Sequence, residues 1–127
     1  MSQQIPMPEG FPTIVCLCGS TRFGEAFDKA NLALTLEGKI VLSIGYHKES
    51  DNTLFDKEPE TRQLDIRLNL NALHVAKIIL ADYVYVINVD GYIGEGTRNE
   101  IRIAKALGKP VEYLEAPNAE VTESLRY

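Results

Sequence analysis

The chain alternates between short apolar runs and longer stretches in which apolar residues recur every three or four positions. Residues 13–19, TIVCLCG, form an apolar run closed by glycine, which predicts a buried strand. Phe23, Ala26, Phe27, Ala30 and Leu34 then fall at helical spacing, and Gly38 ends the pattern, so 22–39 is expected to be a helix. IVLSIG, 40–45, is a second predicted strand. Residues 46–60 are polar without a clear period, long for a loop in a compact domain. LDIRLNLNAL, 64–73, alternates as a strand does, yet Leu64, Leu68, Ala72, Val75, Ala76 and Ile79 also make a helical stripe. The stripe runs on through KIILAD, which favours a helix over 62–80. YVYVIN, 83–88, is a third strand, 97–107 a further helix, and VEYLE, 111–115, a fourth strand. Gly108 suits the left-handed cap of that helix, with Pro110 just beyond it.

Strand and helix alternate throughout, which predicts an α/β fold of the flavodoxin/Rossmann-like kind. It is expected as a three-layer sandwich around a four- to five-stranded parallel sheet of order 2-1-3-4. The whole chain, 1–127, reads as a single domain, with an extended lead-in over 1–12 and a polar tail over 116–127. Residues 1–12 carry neither a basic start nor an apolar block, so no signal peptide is expected, and Lys77 and Asp82 interrupt the longest apolar region. The net charge of −5 argues against a nucleic-acid polymer as partner, because such binding needs a basic face. It leaves room for a small anion held by local cations and helix N-termini. The two cysteines, Cys16 and Cys18, would share one side of the first strand. They are read as reduced, in the core or near a site, in a cytoplasmic protein. With no H-x-x-x-H or C-x-x-C spacing, no metal site is expected, and no cofactor.

Two turns carry candidate chemistry. In CGSTRFG, 18–24, a glycine lets the backbone approach a ligand, Ser20 and Thr21 offer hydroxyls, and Arg22 offers a fork that matches phosphate. Equally, Ser20 or Thr21 caps a helix and Arg22 is solvated. In GYIGEGTRNE, 91–100, the glycines run in the wrong order for a dinucleotide fingerprint. Thr97 and Glu100 fit a capping box. Glu100 also falls on the stripe of Ile103, Ala104 and Leu107, opposite Arg98, Arg102 and Lys105, where a carboxylate would be partly desolvated and chemically poised. In a sheet of order 2-1-3-4 both turns open onto one crevice. His74, on the long helix, and His47, in the long loop, read locally as surface or interface histidines.

CGSTRFG, LHVAKIILADYVYVIN and GYIGEGTRNEIRIAKALGKPV together resemble the nucleoside 2-deoxyribosyltransferase-like superfamily, which includes the 2'-deoxynucleoside 5'-phosphate N-hydrolases. The likeness spans residues 13–115 apart from the middle loop. Its most specific part is the spacing of Gly96, Glu100, Ala104, Gly108 and Lys109. The resemblance implies that Glu100 is a nucleophile toward an anomeric carbon and that Gly19, Ser20 and Arg22, with Thr21, hold a 5'-phosphate. It further implies that Asp90, Gly94, Glu95, Gly96 and Thr97 face the substrate, a small nucleotide or nucleoside. His74 stands where the family usually carries an acid, which makes it a second catalytic candidate. Gly94, with Glu95 beside it, stands where Asp or Ser is usual. The family assembles as dimers or larger oligomers, and the wide apolar face of 62–80 agrees with a homo-oligomer. A non-catalytic nucleotide-binding module and a flavodoxin-like electron carrier are the competing readings.

Overall fold

A computed structural model describes residues 10–44 and 58–117. In chain order these form β1 (Ile14–Gly19), a 3-10 turn (Thr21–Phe23), α1 (Gly24–Leu36), β2 (Ile40–Leu42) and α2 (Glu60–Leu80). Then come β3 (Tyr83–Ile87), a second 3-10 turn (Val89–Gly91), α3 (Glu95–Ala106) and β4 (Val111–Tyr113). The strands make one parallel sheet in the order β2-β1-β3-β4. The expected three-layer α/β sandwich is the observed fold, with four strands among the described residues. His47 and most of the 46–60 loop, the lead-in and the tail lie outside those residues.

Side chains alternate across β1 and so build two cores. Val15 and Leu17 pack with Phe27, Ala30 and Leu34 of α1 and with Tyr83 and Ile87. Cys16 and Cys18 point to the opposite face, against Ile78 of α2, Ile101 and Ala104 of α3, and Val84 and Val86. Full burial of a side chain such as Leu17, Phe27 or Ile101 stabilises by roughly 1.5–3 kcal/mol each. The pairing of β1 with β3 runs from Val15 opposite Tyr83 to Gly19 opposite Ile87, so the C-terminal ends of both strands finish level. That shared edge is where the two turns meet.

The segment 62–80 is helical, as its longer period predicts, but its apolar stripe does not face the sheet. Only Ile78 of α2 is buried. Leu64, Leu68 and Ile79 are 58%, 56% and 54% exposed, and Ala72 and Ala76 are exposed too. The helix crosses β1 through its C-terminal half and leaves most of its leucines uncovered in the single chain.

α3 begins two residues earlier than its sequence indicates. Its N-cap is Gly94, which has no capping side chain, and Thr97 lies inside the first turn, buried. The capping box of Thr97 and Glu100 is therefore not formed, because a residue already in the helix cannot cap it. The buried stripe is Thr97, Ile101 and Ala104, while Leu107 follows the last turn and is half exposed. Glu100 sits on the edge of that stripe. Lys109 explains the end of the Gly108-Lys109 motif: Gly108 is left-handed, at φ 74°, and turns the chain. Lys109 Nζ then donates to the carbonyls of Ala81 (2.7 Å) and Ile79 (3.0 Å) at the end of α2.

Candidate active site

The cleft lies beyond the C-terminal ends of β1 and β3, at the point where the strand order reverses, the usual ligand position in such sheets. It has two lobes of about 280 Å³ each, which share Gly19, Thr21 and Glu100. One lobe is lined by Ser20, Tyr92 and the first turn of α3, from Gly94 to Thr97. The other is lined by Ile44 and by Leu70, Asn71, Leu73, His74 and Lys77 of α2. A larger cavity, of about 690 Å³, opens on the α1 side of the sheet between Phe23, Ala26, Ala30, Tyr85 and Leu114. The smaller cleft is the candidate site, because the half-buried Glu100 and His74 meet there at the switch point of the sheet.

Gly19 makes the close approach possible. Its φ is +155°, and a Cβ there would lie 2.8 Å from the Ile87 carbonyl oxygen. The chain then enters the turn, where Ser20 Oγ accepts from the backbone N–H of Arg22 (3.3 Å) and from its Nε (3.1 Å). Ser20 thus caps the turn and also steadies the guanidinium. Arg22 is not simply solvated: its guanidinium lies 4.4 Å above the Tyr92 ring, and Nη2 donates to the Tyr92 hydroxyl (3.4 Å). Phe23 meets the same ring edge-on at 5.9 Å. Tyr92 was not among the residues singled out from sequence, and only its position as an aromatic between Gly91 and Gly94 marks it.

Glu100 stands where the lobes join. Its Oε2 is 3.6 Å from His74 Nε2, and their side chains are 24% and 11% exposed. Burial raises the Glu100 carboxyl above its ordinary range, opposed by the attraction of His74. Burial pulls His74 down, but contact with Cys16 and the charge of Glu100 more than compensate, and its net shift is upward. Beneath them Cys18 Sγ lies 3.5 Å and Cys16 Sγ 4.0 Å from the same Nε2. The neighbouring Cys18 thiol and His74 favour thiolate at Cys16 against the opposing effect of burial, whereas Cys16 and burial together push Cys18 up. The potential ligand atoms of Cys16, Cys18 and His74 all lie within 4.8 Å of one another. Sequence spacing could not reveal this cluster, because a strand and a distant helix supply its members.

Of the residues singled out from sequence, Gly19, Ser20, Thr21, His74, Gly94, Glu95, Gly96, Thr97 and Glu100 line the cleft. Arg22 instead lines the larger cavity on the α1 side, although its guanidinium reaches Ser20 and Tyr92 of the cleft. Asp90 lines neither lobe. It occupies the turn after β3 in the left-handed region, at φ 55°, and its N–H donates to the Glu115 carboxylate (2.7 Å). Buried Asn88 completes that clamp, exchanging two hydrogen bonds with the backbone of Glu115.

No family profile and no curated protein matches the chain. Among solved structures, the 2-deoxyribosyltransferase from the psychrotolerant bacterium Bacillus psychrosaccharolyticus superposes with a TM-score of 0.62 at 24% identity. The match covers 88% of this chain and 82% of that one, so the two share their fold over nearly their whole length. Among the described residues no helix is long and apolar enough to cross a membrane.

Proposed function

We propose that the chain cleaves or transfers at the N-glycosidic bond of a nucleoside or deoxynucleoside 5'-monophosphate, with Glu100 as the nucleophile. The observation that carries this reading is the place of Glu100: a half-buried carboxylate at the junction of two lobes, paired with His74. The fold shared with a 2-deoxyribosyltransferase supports it. In this reading the 5'-phosphate enters the lobe of Ser20, at the first turn of α3, with the Arg22 guanidinium held behind Ser20 and Tyr92 as a nearby cation. The base enters the other lobe, against Ile44, Leu70 and Leu73, with Asn71 as a polar partner. The anomeric carbon then lies over Glu100.

The chemistry follows that of a retaining glycosidase. A Glu100 oxygen attacks the anomeric carbon as the bond to the base breaks, and the bonding pair leaves with the base, which takes up a proton. The resulting glycosyl ester is opened by water, giving the sugar phosphate, or by a second base, giving a new nucleotide. His74 steadies the ionised carboxylate before attack and, once protonated, can supply the proton to the leaving base. The test is base release from a panel of nucleosides and their 5'-monophosphates, followed chromatographically. Glu100→Ala should reduce turnover by more than ~10³-fold, as removal of a covalent nucleophile does. Full turnover by that variant would falsify the assignment. Nucleotide binding by calorimetry with no base released would favour a non-catalytic binding module, a reading encouraged by a histidine where related enzymes carry an acid.

We further propose that the protein is a homo-oligomer joined through α2. Support comes from Leu64 and Leu68, each more than half exposed and one turn apart on one face of the helix.

A further inference from the structure

We infer that Cys16, Cys18 and His74 form a binding site for a thiophilic divalent cation of the zinc type, with its fourth position toward the cleft. Zinc bonds of about 2.3 Å to sulfur and 2.0–2.1 Å to nitrogen, set at the tetrahedral angle, place sulfur and nitrogen about 3.6 Å apart. The two Sγ–Nε2 separations here are 3.5 and 4.0 Å, and the three ligand atoms all lie within 4.8 Å of one another. Glu100 Oε2, 3.6 Å from His74 Nε2, flanks the set without joining it. Two thiolates and an imidazole suit zinc better than magnesium or calcium, which prefer oxygen ligands.

Access and charge both permit the site. His74 and Glu100 line the cleft, so an ion arrives from there and meets the thiols behind them. Binding releases the thiol protons to solvent, while neutral His74 offers the Nε2 lone pair. Two thiolates balance the charge of the ion. Because the ion takes His74 Nε2, the atom that faces Glu100, a loaded site deprives that carboxylate of its partner. This consequence, unlike the site itself, rests on the proposed function.

The chain contains only two cysteines, so a spectrum can identify the site without mutation. The full-length protein is freed of metal with chelator and reductant, then titrated with Co²⁺ and back-titrated with Zn²⁺. A thiolate-to-cobalt charge-transfer band and the strong visible bands of a tetrahedral ion should saturate at one equivalent, with intensity for two thiolates, and Zn²⁺ should abolish them. Weak octahedral absorption with no thiolate band overturns the proposal. Glu100→Gln should keep the charge-transfer band and its saturation at one equivalent, whereas Cys16→Ser and Cys18→Ser should each weaken binding by more than ~100-fold, since even the loss of an outer hydrogen-bond partner costs ~10–100-fold. An unchanged affinity in both cysteine variants also overturns it. Base release assayed with chelator and with one equivalent of Zn²⁺ separates the two ideas. A thiolate spectrum without base release in chelator leaves the metal site standing and removes the glycosidase reading. Base release in chelator from a protein that shows no thiolate band does the reverse.

Discussion

Gly19→Ala tests the link between the strand edge and the cleft. The new Cβ would lie 2.8 Å from the Ile87 carbonyl oxygen, 3.1 Å from Ile87 Cβ and 3.2 Å from Phe27 Cζ. None of these can yield easily, because Ile87 and Phe27 are buried and Ile87 is the sheet partner of Gly19. Forcing a non-glycine residue into this backbone region costs about 1–3 kcal/mol. Overpacking a filled core costs about 1–3 kcal/mol more, so the sum is roughly 2–6 kcal/mol. A domain of this size has about 5–15 kcal/mol of stability in all. Each kcal/mol moves its midpoint by roughly 4 °C, and the expected fall is at least ~8 °C. Gly38→Ala is the control: Gly38 also has positive φ, +89°, but nothing lies within 4 Å of its would-be Cβ. It should lose only the backbone contribution, about 1–2 kcal/mol. Urea and thermal denaturation followed by circular dichroism measure both. If Gly19→Ala were no less stable than Gly38→Ala, the close approach of Gly19 to Ile87 would be wrong, and with it the position of the turn that carries Ser20.

Other expectations follow from the Glu100 environment and from α2. The Glu100 pKa is raised in the folded chain, so its contribution to stability is present below the ordinary carboxyl range and is lost as pH rises through the raised value. Glu100→Gln should therefore gain stability over the parent as pH rises from the ordinary carboxyl range in paired urea titrations, and a gap that shrinks with pH contradicts the burial argument. His74→Asn removes the attraction that holds the Glu100 pKa down, so the acid limb of kcat/KM against pH should move to higher pH; an unmoved limb means that Glu100 does not set it. Leu64→Glu with Leu68→Glu should dissociate the oligomer. Covering a half-exposed leucine is worth about 1 kcal/mol, and two leucines counted on both sides of a two-fold contact give about 4 kcal/mol, or ~10³-fold in Kd. Light scattering reads the mass, and a parent already monomeric at micromolar concentration dismisses the contact.

What could be read from sequence depended on whether a signal was local. The four strands and three helices are apolar runs and periods that no tertiary contact needs to interpret, and the 2-1-3-4 order follows from right-handed βαβ units. The approximate phase of Glu100 was visible for the same reason. The start of α3 was not, because glycines on both sides of Glu95 disguise a first turn and Thr97 looks like a cap only if the helix begins after it. The apolar stripe of α2 was visible, but not that the chain's own sheet leaves it exposed. The cluster of Cys16, Cys18 and His74 was least legible of all. Its members come from β1 and α2, and only the packing of that helix on one face of the sheet unites them.

The character of the cleft comes from what stands beside Glu100. An acid in place of His74 would set two carboxylates about as close as the present 3.6 Å, and like charges at that range push one of the pair strongly toward the neutral form. Histidine does the reverse, since its charge opposes the burial that raises Glu100. Cys16 in turn helps to hold His74 in the form that does so. The carboxylate is thereby kept ionisable while most of its side chain is removed from water. A poorly hydrated carboxylate is the stronger nucleophile toward an oxocarbenium-like carbon. In the reactions we propose, base displacement would use the pairing of Glu100 with His74 and metal capture would take the same His74 nitrogen, so the two would compete for one atom.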